Sequence, residues 1–123
     1  MEQDMALVIT IRVISEVVVL DLFGRLWILD LPLRDKMNGF LNDGNRRFVV
    51  NLAGVEYIDS SGLGQLVSIW VSVKNRRGHL TLLNPTKRVR RLFEITRLNT
   101  IFEIFEDEPE AVHQASKSFE ASA

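Results

Sequence analysis

The chain has no cysteine, which excludes a disulfide framework and any thiolate metal site. Histidine is almost absent as well. His79 and His113 are the only two, and neither has a second histidine or a carboxylate at ligand spacing, so no metal and no cofactor are expected. Charge of one sign is not in excess: 15 Lys and Arg against 16 Asp and Glu give a formal net charge of -1 and no global pull toward nucleic acid or an anionic membrane. Long hydrophobic runs are missing. The apolar runs Val17–Phe23 and Leu66–Val73 are too short to span a bilayer, and charges flank them closely. Met1–Asp4 carries acids where a secretory signal would carry Lys or Arg. These absences predict a soluble, cytoplasmic protein without direct membrane insertion.

What is present describes a globular domain. The 123 residues are 46% apolar and 25% charged, which predicts a single domain over 1–123 with its core at about 7–119 and short termini outside it. Leu7–Val13 and Val17–Phe23 are rich in β-branched residues and predict a hairpin that ends near Gly24. Asp30 is placed to cap a helix with Pro32 in its first turn and Leu33, Met37, Phe40 and Leu41 on one face. Asn42–Asn45 stops it, and Arg47–Leu52 predicts a short buried strand. Gln65–Arg77 fits two patterns: Val67, Ile69, Val71 and Val73 alternate, while Leu63, Leu66, Val67, Trp70 and Val71 share a helical face. Its length, its Asp/Ser start and the Lys74–Gly78 ending favour a helix. Leu80–Leu83 is a further strand, followed by a helix capped at Thr86 with Val89, Leu92 and Phe93 inward. Ile101–Phe105 reads as the last strand, and acids at Asp107–Glu110 open a helix with Ala111, Val112, Ala115 and Phe119 on one side. The order ββαβαβαβα predicts an α/β fold, a mostly parallel mixed sheet with an antiparallel hairpin first and about four packed helices.

The most informative segment is Asp59-Ser60-Ser61-Gly62-Leu63-Gly64, where a strand-like Tyr57-Ile58 gives way to a helix start. Any of Asp59, Ser60 or Ser61 suits an N-cap, and capping alone would account for all three. A helix start also presents unpaired N–H groups and about half a positive charge, so it accommodates a phosphate. A phosphoryl group adds roughly -1.5 to -2 charges, enough to change a binding face without unfolding the domain. Gly62 and Gly64 remove side chains and would let a partner backbone approach.

Together with Asn51-Leu52, Asn84-Pro85, Val89–Leu98 and Ile101–Phe105, this hexapeptide resembles the STAS family, in particular the bacterial anti-sigma factor antagonists. The resemblance is good from Arg46 to Val112 and looser before it. It implies a STAS fold and a non-enzymatic partner-switching regulator of transcription. Ser60 would then be the phosphorylated residue, which leaves Ser61 as the cap. Asp59, Ser60, Ser61, Gly62, Leu63 and Gly64 would meet the partner, an anti-sigma factor with serine-kinase activity, and a phosphatase would restore the unphosphorylated form. Trp27 stands where the family commonly has an acidic residue, and would add an exposed apolar contact to the partner face. Two other roles known for STAS domains are docking subunit of a phospholipid or anion transporter and sensor of a small ligand near Ser60.

Other features point to no separate chemistry. Lys87, Arg88, Arg90 and Arg91 lie around an inward Val89 and read as a solvated helix face, without the interleaved aromatics that stack single-stranded nucleic acid. The segment before Ser60 lacks the first glycine of a nucleophile elbow, and Gly24, Gly62 and Gly64 form no phosphate-binding loop. Trp70 reads as packing material.

Overall fold

Residues 7–26 and 32–121 are described by a computed structural model, with side chains for all of these but 32 and 117–121. The predicted cap Asp30 and Trp27 lie outside the described residues, and the side chain of Phe119 does as well.

Strand β1 (Val8–Ile14) pairs antiparallel with β2 (Val17–Leu26) across a two-residue turn, Ser15-Glu16. Both turn residues have positive φ, 50° and 68°, as the twist of a tight hairpin requires. Neither has the side chain that suits this geometry, and a left-handed non-glycine residue costs roughly 1 kcal/mol. Replacing Glu16 by glycine is therefore expected to raise the melting temperature by about 4 °C in a calorimetric scan. The lost contact to Arg47 is an exposed pair at 3.5 Å and contributes little.

Helix α1 (Pro32–Asn42) leads to β3 (Arg47–Ile58), α2 (Ser60–Asn75), β4 (His79–Leu83), α3 (Lys87–Ile95), a 3-10 turn at Leu98–Thr100, β5 (Glu103–Phe105) and α4 (Glu108–Ala121). The sheet order is β1-β2-β3-β4-β5, with every pair after the hairpin parallel. Because each crossover advances in the same direction, crossovers of one hand leave their helices on one face. Leu33, Met37 and Leu41 of α1, Leu63, Leu66, Ile69 and Val73 of α2 and Val89 and Phe93 of α3 all pack on Val18, Leu20, Leu22, Phe48, Val50 and Leu82. The alternate residues Val17, Val19, Val49 and Leu83 face the other way and are covered by Ala111, Val112 and Ala115 of α4.

The predicted element order is the observed one, but several boundaries move. β2 runs on to Leu26 because Gly24, with φ 108°, sits at a register shift inside the strand and does not end it. β3 likewise continues to Ile58, past Leu52, with Val55 and Ile58 still in the core. β1 is shifted one residue, to Val8–Ile14, and β5 shrinks to three residues. Phe102 precedes β5 and packs against Phe93 and Trp70 at ring distances of 5.6 and 6.4 Å, so Trp70 is packing material.

Candidate functional site

The site lies at the strand ends, where β3 gives way to α2. The helix begins at Ser60, within the Asp/Ser start that the sequence indicates. Its cap is Asp59: with extended backbone (φ -109°, ψ -174°), its Oδ1 accepts a hydrogen bond from the Gly62 N–H at 2.8 Å. This corrects the assignment of the cap to Ser61. Three consecutive capping residues compete here, and the one in place is the last with non-helical backbone. Asp59 thus spends one carboxylate oxygen on the turn. Ser60 is exposed at the first helical position, Ser61 is half-buried and Gly64 is exposed.

Gly62 and Leu63 have a different role. Both are buried, and Leu63 joins the core beneath the helix. A Cβ at Gly62 would collide with the Leu26 carbonyl oxygen and stand 2.9 Å from Ile58 Cγ1. The glycine therefore seats the first turn of α2 directly on the end of β2. Around Gly64 a Cβ would meet nothing within 4 Å. The approach attributed to both glycines thus divides: Gly62 admits the protein's own backbone, and Gly64 alone leaves the outer surface open. Of the six residues in the hexapeptide, Ser60 and Gly64 face outward most fully, with Asp59 and Ser61 beside them.

The strands that carry this site are tied together by a polar cluster that the sequence reading did not pick out. Arg12 of β1 grips Asp21 of β2 with two hydrogen bonds, at 2.6 and 2.9 Å, and Glu108 of α4 with two more, at 3.0 and 2.7 Å. Asn51 of β3 donates to Asp21 Oδ1 at 2.7 Å and accepts from the Ala53 N–H at 3.1 Å. The Arg12 hydrogen bonds, and for Asp21 that of Asn51 too, hold both carboxyls below their usual range. Arg12 itself is pushed further up by the same two partners. A lone acid inside the apolar run Val17–Phe23 was the available signal.

Among the described residues no group of three or more His, Cys, Asp or Glu could hold a metal ion. His79, the first residue of β4, does have a carboxylate partner: its Nε2 lies 2.6 Å from Glu103 Oε1 on β5. The distance in sequence concealed this contact. Arg90, in the basic cluster of α3, pairs with Glu106 at 3.1 Å, while Lys87, Arg88 and Arg91 are exposed. No helix among the described residues is long and apolar enough to cross a membrane.

The STAS domain family model matches residues 9–111. The anti-sigma-B factor antagonist of Staphylococcus aureus is 34% identical over 84 residues, which cover 68% of this chain and 78% of that protein. A relative from Thermotoga neapolitana, described as a candidate anti-sigma factor antagonist, is 39% identical over 75 residues, 61% of this chain and 66% of that protein. Among solved structures, a candidate anti-sigma factor antagonist of Thermotoga maritima superposes with a TM-score of 0.80 at 30% identity, covering 88% of this chain and 94% of that one. The Ser60 loop, the sequential mixed sheet and these likenesses agree: the chain belongs to the STAS domain family, among the anti-sigma factor antagonists.

Proposed function

We propose that the chain is a cytoplasmic partner switch whose state is written on Ser60. The observation that carries this reading is the placement of Ser60: an exposed hydroxyl on the first residue of a 16-residue helix, beside a cap that leaves it outward. In the unphosphorylated form the loop binds an anti-sigma factor with serine-kinase activity and so frees a sigma factor. Phosphoryl transfer moves the γ-phosphoryl group of ATP to Ser60 Oγ, and the proton leaves to the kinase. The added charge sits next to Asp59, and the more negative surface repels the kinase face that held it. A phosphatase hydrolyses the ester and restores binding. The chain performs no chemistry of its own in this cycle; it is substrate and ligand.

The test uses the anti-sigma factor kinases of the source organism, each purified and incubated with this protein and ATP. Mass spectrometry should find a single phosphate on Ser60, and none on Ser60→Ala. Ser60→Asp should weaken binding to that kinase by about a hundredfold in interferometry, because a like charge across an interface costs several kcal/mol. A phosphate on another residue, or unaltered affinity of Ser60→Asp, would remove Ser60 from the switch.

A further inference from the structure

Helix α4 covers only part of its face of the sheet. It buries Val17, Val19 and Val49, and the cover ends at the Asp21–Asn51 pair. Thr10, level with that pair, is exposed, and so are Val8, Phe23 and Ala53 beyond it toward the strand ends. Val8 and Phe23 are direct cross-strand partners and remain 55% and 48% exposed, so two apolar side chains meet on a surface that no helix among the described residues covers. The position of Phe23 is held by its neighbour. A Cβ at Gly54 would collide with Cδ1 of the Phe23 ring and stand 2.8 Å from the Leu22 carbonyl oxygen. The ring thus lies against the Gly54 backbone, half-exposed and outside both core clusters.

This surface is continuous with the Ser60 loop. Two residues past Phe23, the Arg25 guanidinium lies 5.6 Å from the centre of the Tyr57 ring, and Arg25 and Tyr57 are register partners. Tyr57 is followed by Ile58, Asp59 and Ser60, and Leu26 is the residue against which Gly62 packs. Phe23 is three residues from Leu26, about 10 Å along a strand. A standard interface covers about 800 Å² on each partner, a disc of roughly 16 Å radius, so one centred on the Ser60 loop reaches Phe23.

We infer that Phe23, with Val8 beside it and the Arg25–Tyr57 pair between it and Ser60, is the apolar anchor of the anti-sigma factor interface. The inference rests on the switch reading above. The partner segment it takes bears an aliphatic or aromatic side chain that closes over the Phe23 ring while the neighbouring surface reads the state of Ser60. An aromatic side chain has two rotatable bonds and a large apolar area, so it loses little freedom for the surface it buries on binding.

The probe is the kinase that phosphorylates Ser60. Phe23→Ala should weaken its binding about tenfold or more, and Phe23→Thr, which suits a strand, should do the same with an unchanged thermal melt. Ile95→Ala removes a still more exposed apolar side chain, 67% against 48%, on α3 and should leave affinity within about twofold. If both Phe23 variants bind like the parent protein while Ser60→Asp does not, the anchor is refuted and the switch stands. If Ser60→Asp binds normally, the underlying reading fails instead. Loss of self-association in sedimentation of the Phe23 variants, with kinase affinity intact, would make the occupant a second copy and overturn the proposal.

Discussion

Replacing Gly62 by alanine is expected to lower the melting temperature by about 8–15 °C, while the same change two residues later, Gly64→Ala, raises it by about 2–4 °C. Both positions are in the first turns of α2, and alanine favours a helix over glycine by about 1 kcal/mol at either. The difference is space. At Gly62 the new methyl meets the Leu26 backbone and Ile58, neither of which is the flexible end of a long side chain. The helix start must move away from β2, at a net cost of about 2–4 kcal/mol after the propensity gain. At Gly64 the methyl enters open space, and propensity acts alone. Differential scanning calorimetry of the two variants decides it. Equal shifts would mean that the α2–β2 contact is not what sets the position of the loop. Gly62→Ala should also weaken partner binding without altering one outward-facing atom, because it displaces Ser60.

The second large effect is expected from Arg12→Ala. This change leaves Asp21, whose side chain is 9% exposed, with Asn51 as its remaining hydrogen-bond donor among those described, and frees Glu108 from β1. Breaking a fully buried pair costs about 3–5 kcal/mol. Arg12 is 39% exposed, so water screens part of the interaction, and about 2–3 kcal/mol is expected, a drop of about 8–12 °C. The pH dependence gives an independent check. Asp21 and Glu108 are both held below their ordinary values of 3.8 and 4.5. A depressed folded-state pKa contributes stability that is fully present above the unfolded value and is lost as pH falls through the folded one. The gap between parent and Arg12→Ala should therefore be widest above about pH 5 and close progressively in acid. A gap that is constant from pH 7 to pH 2 would show that Arg12 acts through packing of its stem and not through its charge.

The order of elements was legible because each strand is short, β-branched and separated from the next by a strong stop or a periodic helix. Boundaries failed where glycine carried two meanings. Gly24 was taken as a terminus, yet its positive φ falls inside β2, opposite an extra residue of β3 at a register shift, and Ala53-Gly54 interrupts an apolar run without ending β3. The loop of the site was legible as a helix start, but three successive capping residues could not be ranked without knowing which backbone turns helical first. The Arg12–Asp21–Asn51–Glu108 cluster was beyond reach for a different reason. Its bonds join residues 9, 30 and 96 apart in sequence, and only the hairpin register and the docking of α4 bring them together. Leu63 shows the reverse case. It fitted the helix face on pattern and is buried there, although the resemblance alone placed it among the partner contacts.

The order β1-β2-β3-β4-β5 has a consequence for how the chain is made. Each strand pairs with the one synthesised just before it, so the sheet can be laid down from one edge as the polypeptide leaves the ribosome. No strand waits for a later one to be inserted beside it. Only the second face must wait, because Val17, Val19 and Val49 emerge early and their cover, Ala111 to Ala115, emerges after all five strands. Until then the nascent sheet is a one-sided product with a greasy back, the state in which a chaperone would find it.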